Sequence, residues 1–350
     1  MTSTHPELHL APLGPRSESA APTPTYIIYF MPGNPGLISY YTIFLTHLYW
    51  KLTETAHRIH VYGRSHSGFE TDSTKATVQG GKAAPYGLEE QITHTEHAVE
   101  RLVGSVKESE ETDDVRVILM GHSVGAYMLL EVTRRLRKKF VGGEGVRVVG
   151  GVCLFPTVTH IAKSTSGRRS SPLLTLHHLA HISHLATKIL TFPLPTTFLS
   201  LVIKTLLRFP APAANVTASF IKSPYGVEQA LHMARDEMIQ ITEDAWDAEI
   251  WGSAPPPSDL THARPVLRFL FAEQDHWVAD ETRDELIRLR GRMRDGGGKE
   301  GVVEEWKPVM DIDEEEGWPH GFCIKHSVPV AERVVDYVKE IVDIEQRDEI

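Results

Sequence analysis

The stretch Val115-Arg-Val-Ile-Leu-Met-Gly-His-Ser-Val-Gly-Ala-Tyr127 constrains this chain more than any other. Its β-branched apolar run predicts a buried strand, an apolar helical pattern follows, and Gly121-His-Ser-Val-Gly125 stands between them. A strand that turns sharply into a helix forces strained dihedrals on the corner residue, and flanking glycines let the turn close. The expectation is a nucleophile elbow. Ser123 would present its hydroxyl at the end of a strand, and the Val124 N–H, opening the next helix, would face an oxygen on which negative charge develops.

The 350 residues, 41% of them hydrophobic, suffice for one large α/β domain with an insertion or for two medium domains. A net charge of −10 and a pI near 6.0 argue against nucleic acid as a partner. Cys153 and Cys323 have no C-x-x-C neighbour, so each is read as a small buried hydrophobe in a reducing, intracellular compartment. Residues 1–25 lack a basic n-region and a long apolar core, which predicts a flexible tail and no secretory signal.

Strand patterns at Tyr26–Met31, Arg58–Tyr62, Val115–Met120, Arg147–Phe155, Pro265–Phe271 and Val302–Met310 alternate with helical ones, including Leu88–Val103, Ala126–Arg137 and Glu281–Arg292. This order predicts a mostly parallel, doubly wound sheet built from 26–156 and 263–350. Pro32-Gly-Asn-Pro-Gly36 stops the first strand in a tight loop with accessible amides. Pro35 has no N–H, so Asn34 is the first choice of second oxyanion donor and Gly36 the next. His57, His60 and His66 lack metal-ligand spacing and read as solvated loop histidines.

Residues 157–262 break the alternation. Between Arg169 and Lys188 the only ionisable side chains are His177, His178, His181 and His184, and 15 uncharged residues separate Lys188 from Lys204. Pro193 and Pro195 interrupt this apolar run, which falls short of the roughly 18 apolar residues of a spanning helix. Two compatible expectations follow: a helical cap over a site, and a broken hairpin around Leu173–Phe209 that lies in a lipid surface without crossing it.

After Pro265–Phe271 comes Ala272-Glu-Gln-Asp275, and Asp275 has the position of an acid on the loop after a late strand, with Glu273 as the alternative. His320, past the last strand pattern and followed by Gly321 and Phe322, is placed to act as general base, with His326 as its competitor. Ser123, Asp275 and His320 run in the chain order of α/β hydrolases. Ser123 would attack an acyl carbonyl, His320 would take and return its proton, Asp275 would accept the His320 Nδ1–H, and Val124 with Asn34 would hold the oxyanion. Water is the second substrate, and no metal or cofactor is implied.

Phe30-Met-Pro-Gly-Asn-Pro-Gly36 with Tyr40-Tyr41 and Phe44, Leu88-Glu-Glu-Gln-Ile92 with His94, Gly121-His-Ser-Val-Gly-Ala126, Leu154-Phe-Pro-Thr157 and His320-Gly-Phe322 together resemble the lipid droplet-associated hydrolase family, from about Tyr26 to Val342. The Pro-Gly-Asn-Pro-Gly loop is the specific part, since most α/β hydrolases carry His-Gly there. The resemblance implies an α/β-hydrolase fold with an inserted helical cap and a serine-hydrolase triad. It also implies peripheral residence on lipid droplets and the cytosolic face of the endoplasmic reticulum, and action on sterol or acylglycerol esters. Members often carry Ser-Pro-Asn-Gly after Phe-Pro-Thr, where this chain has Ser164-Thr-Ser-Gly167. A different expectation is a droplet-surface protein whose triad turns over slowly.

Overall fold

All of Tyr26–Met31 is buried, and alternate residues serve two different cores: Ile27, Tyr29 and Met31 pack on one side, Tyr26, Ile28 and Phe30 on the other. A period-2 strand with apolar residues on both faces must be covered on both faces. In the computed structural model, which describes residues 6–14, 23–71, 82–139, 145–176, 178–251, 264–292 and 307–347, that covering is complete. Among them are seven strands: β1 (Glu7–Leu10), β2 (Thr25–Met31), β3 (Arg58–Arg64), β4 (Val115–His122), β5 (Arg147–Leu154), β6 (Val266–Ala272) and β7 (Val309–Asp313). They form one sheet in the order β1-β3-β2-β4-β5-β6-β7, antiparallel only at the β1 edge.

Helices α1 (Thr42–Leu52) and α10 (Ser327–Arg347) cover one face through Phe44, Leu45, Val334 and Ile341. Helices α2 (Leu88–Glu110), α3 (Val124–Lys139) and α9 (Asp280–Arg290) cover the other through Val99, Leu129 and Leu286. The Gly87 N–H donates to the Glu90 carboxylate at 2.8 Å and so satisfies a donor at the start of α2.

Several boundaries differ from those expected. The tail predicted over 1–25 contains β1, paired with β3 from Glu7 opposite Arg64 to Leu10 opposite Val61. An antiparallel partner at an otherwise open edge satisfies backbone groups that composition does not reveal. The last strand, β7, runs past Met310 and takes Asp311–Asp313 into the sheet, while residues 302–306 of the predicted strand and the glycine run Gly296–Gly298, which reads as a turn, lie outside the described residues. His60 and His66 are buried, not solvated: His60 is bonded to Glu110 at 3.0 Å, and His66 Nε2–H donates to the Pro32 carbonyl at 2.9 Å. Burial lowers both imidazoles, His66 to about 4.

Between β5 and β6 the described residues form five α-helices, α4 (Thr165–Leu174), α5 (Leu179–Thr191), α6 (Thr196–Leu206), α7 (Ala211–Lys222) and α8 (Gly226–Gln240). Helix α8 is fastened to the core by Gln229, which accepts from the Tyr86 N–H and donates to its carbonyl, both at 2.7 Å. Asp236 accepts from the Leu88 N–H at 3.0 Å. Helices α6 and α7 share a small core of Leu199, Ile203, Ala214 and Ala218, whereas α5 buries no residue at all. No single described helix is long and apolar enough to cross a membrane; α5 and α6 reach that length and composition together but are bent by 104°.

Ser164 caps α4, its hydroxyl accepting from the Gly167 N–H at 2.9 Å, and a Cβ on Gly167 would stand 2.2 Å from the Ile161 carbonyl. In Ser164-Thr-Ser-Gly167 the first residue is thus the cap and the last the close approach, while the middle pair makes neither contact.

Candidate functional site

Ser123 lies between the last residue of β4 and the first of α3 with φ +55°, the left-handed conformation that L side chains avoid. Its flanking glycines are there because backbone passes too close for a side chain. A Cβ on Gly121 would lie 2.2 Å from the Gly125 carbonyl oxygen, and one on Gly125 would lie 2.2 Å from that of Met31. We expect Gly125→Ala to destabilise the fold by about 2–4 kcal/mol, because rigid backbone of β2 must shift. A lower urea midpoint at unchanged slope checks this, and an unshifted midpoint would refute the packing account.

The elbow aims Ser123 at His320. Ser123 Oγ and His320 Nε2 are 2.9 Å apart, and His320 Nδ1 is 2.7 Å from Asp275 Oδ2. With Nδ1–H donating to the carboxylate, Nε2 is free to accept from the serine hydroxyl. Burial by itself would raise the Asp275 carboxyl; the hydrogen bond and charge of His320 and the Trp277 N–H, 2.8 Å from Asp275 Oδ1, outweigh it and hold the group below its ordinary value. Glu273 is exposed on the same loop, and His326 stands beside α10, outside this hydrogen-bonded series. The turn that brings His320 back over the sheet is tied by Asp313 at the end of β7, which accepts from the Trp318 N–H at 2.7 Å and the Glu316 N–H at 3.1 Å.

Val124 is fully buried at the first position of α3, behind Ser123. The loop carrying Asn34 closes on the serine from the other side: a Cβ on Gly33 would lie 3.1 Å from Ser123 Cβ. Gly36, the second-choice donor, packs instead against the His66 ring.

Three residues were given no role from the sequence. His122, inside the elbow, donates from Nε2 to the His320 carbonyl at 2.8 Å, which leaves Nδ1 to accept from the Tyr41 hydroxyl at 2.8 Å. The same hydroxyl accepts from the Gly33 N–H at 3.1 Å. One buried series therefore ties the Asn34 loop, the elbow and the His320 turn together. Burial, with the nearby His320 charge, lowers His122 to about 3, so it stays neutral and keeps this tautomer. Glu237 on α8 is the third. Asn34 Nδ2 donates to its Oε1 at 2.9 Å and to the Ala230 carbonyl at 2.9 Å, joining the loop to the insertion. The elbow position itself was the one signal for His122, whose partner Tyr41 is 81 residues away; a helical acid 203 residues from its partner gives none.

Burial first, and Asp236 next, push Glu237 up to about 8, against the Asn34 hydrogen bond. A carboxyl with a raised folded pKa keeps its proton after the unfolded chain has released it. Stability therefore falls as pH rises from the ordinary carboxyl range to about 8, by at most about 1.4 kcal/mol per pH unit. Thermal melts across that window should slope less in Glu237→Gln than in the parent, and parallel slopes would refute the assignment.

A cavity of about 490 Å³, lined by Ile38, Tyr40, Ile43, Val216 and Ile324 among others, opens where the insertion meets the core. Among the described residues no three His, Cys, Asp or Glu side chains are gathered as a metal set.

Comparison with known proteins agrees with this architecture. The sequence is 28% identical over 327 residues to a lipid droplet-associated hydrolase of Mus musculus, covering 90% of this chain and 85% of that one. It is 26% identical over 318 residues to one of Dictyostelium discoideum, covering 90% and 88%. Among solved structures, a peroxisomal α/β-hydrolase of Saccharomyces cerevisiae aligns with TM-score 0.55 at 10% identity, over 96% of this chain and 88% of that one. A carboxylesterase structure from Nitrososphaera gargenis aligns with TM-score 0.52 at 11% identity, over 96% and 95%. These two show the fold, an α/β-hydrolase fold with helices inserted after β5. The lipid-droplet associated hydrolase family profile matches residues 24–323, and the chain belongs to that family.

Proposed function

We propose that this chain is a serine hydrolase that cleaves carboxylic esters of lipids through an acyl-enzyme. The observation that carries the reading is the series Ser123 Oγ, His320 Nε2, His320 Nδ1, Asp275 Oδ2 at 2.9 and 2.7 Å, with the serine at a strained corner. His320 removes the Ser123 proton as Oγ attacks the ester carbonyl, and Asp275 stabilises the imidazolium that results. The Val124 and Asn34 backbone N–H groups take the oxyanion, with Tyr41, His122 and Glu237 as positioning residues behind them. The proton returns to the departing alcohol, and water, activated by His320, releases the acid.

A lipid substrate is supported by the family and by the apolar lining of the cavity beside Tyr40, which suits a hydrocarbon chain. The insertion acts as the cap, and its exposed apolar hairpin holds the protein peripherally on lipid droplets and on the cytosolic face of the endoplasmic reticulum. Labelling of the protein by a fluorophosphonate, lost in Ser123→Ala, tests the nucleophile, and a parent that takes no label would overturn the reading.

The hairpin itself favours a second reading, a droplet-surface protein acting in droplet organisation with an idle triad. Ile189, Leu190 and Phe192 are 65%, 74% and 86% exposed, more apolar surface than a cap needs to cover a site. Droplet binding that persists in Ser123→Ala with cellular ester content unchanged would favour it.

A further inference from the structure

The chain carries −10 overall, yet residues 157–227 contain no aspartate or glutamate and seven lysines and arginines. Surfaces of water-soluble domains intersperse both signs, so a one-signed run of this length on a protein of the opposite sign calls for a reason. Helix capping accounts for two of the seven. Lys188 donates to the Lys222 carbonyl at 2.7 Å, and Lys222 donates to the carbonyls of Thr191 and Leu194 at 2.8 and 2.9 Å, closing the turn between α5 and α6.

The other five, Lys163, Arg168, Arg169, Lys204 and Arg208, are exposed, and among the described residues none is paired with a carboxylate. They are interleaved with the exposed apolar side chains. Lys204 lies one turn beyond the exposed Leu201 on α6, Arg208 follows Leu206 and Leu207, and Arg168 and Arg169 precede Leu173 on α4. Apolar groups bordered by cations are what a monolayer of anionic headgroups over hydrocarbon would accept. The acidic remainder of the chain would be repelled by the same headgroups, which orients the molecule with its insertion toward the lipid.

We infer that α4 to α6 form a docking face selective for lipid surfaces containing anionic phospholipid. This inference rests on the peripheral lipid binding proposed above and names the charge of the surface. Each exposed cation near an anionic leaflet contributes about as much as a fewfold change in partition, so several together give at least about tenfold.

The test is flotation of the Ser123→Ala protein with vesicles of phosphatidylcholine alone or phosphatidylcholine mixed with phosphatidylserine. Partition onto the mixed vesicles should be at least about tenfold stronger, and the difference should vanish near 1 M salt, where the screening length is about 3 Å. In Arg169→Gln/Lys204→Gln/Arg208→Gln the preference for mixed vesicles should be lost while binding to phosphatidylcholine is unchanged. These side chains are exposed, so thermal melting should match the parent. Equal partition onto both vesicles, or binding to neither, would overturn the inference. Ester turnover enters none of these readouts, so a failed hydrolysis assay leaves the charge preference standing, and equal partition leaves the hydrolase reading standing.

Discussion

Ser123→Ala is expected to lower kcat on lipid esters by at least about 10⁴-fold, and His320→Ala by a similar factor, because the proposed nucleophile and base would act as one unit. For the same reason the double variant should be no worse than either single one. Asp275→Asn should cost about 10⁴-fold, by presenting the wrong partner to His320 Nδ1 and so holding the wrong tautomer. Ser123→Ala should cost little stability, since among the described residues Ser123 Oγ has only His320 as its hydrogen-bond partner and the strain at φ +55° belongs to the backbone, whereas His320→Ala leaves the buried Asp275 carboxylate unpaired and should also lower the melting temperature. Turnover measured from short p-nitrophenyl esters to cholesteryl ester and triacylglycerol emulsions decides the matter. Variants that retain the parent's rate would refute the three-residue mechanism, and the ester on which the parent is fastest names the substrate class.

Replacing Leu190, Phe192 and Leu206 together by serine is expected to release the protein from lipid droplets. These side chains are 74%, 86% and 77% exposed, so they contribute almost nothing to the folded core. Moving each from water into hydrocarbon is worth about 1.5–3 kcal/mol, so losing three should weaken partition by roughly 10³-fold or more. Melting temperature should stay within a degree or two of the parent, because no core contact is removed. Hydrolysis of a soluble short-chain ester should also persist, while hydrolysis of an emulsion falls. Continued association of the triple variant with artificial droplets would refute the hairpin as anchor. Loss of droplet binding with full emulsion turnover would separate the two roles proposed for the insertion.

The elbow was legible because its chemistry is local: a strand, a helix and a corner between them force glycine on both sides of one serine. Asp275 and His320 were legible because a doubly wound sheet brings the ends of its strands to one edge, so residues just past a strand are candidates for a common site. The boundaries that failed did so for non-local reasons. β1 is a strand because β3 offers an open edge, and His60 and His66 are buried because Glu110 and Pro32 lie where they can bond. Neither partner is near in sequence.

The sequence by itself determined the order of strands and helices, the placement of Ser123, Asp275 and His320 at strand ends, the family, and the acid-free, apolar character of the insertion. Each follows from residue type and short-range spacing. Tertiary structure alone decided that His122 joins the Asn34 loop to the His320 turn, that Glu237 reaches Asn34 from α8, and that α5 buries none of its apolar side chains. Hydrogen bonds across hundreds of residues, and the difference between an apolar helix that is covered and one that is not, depend on which surfaces meet once the sheet has formed.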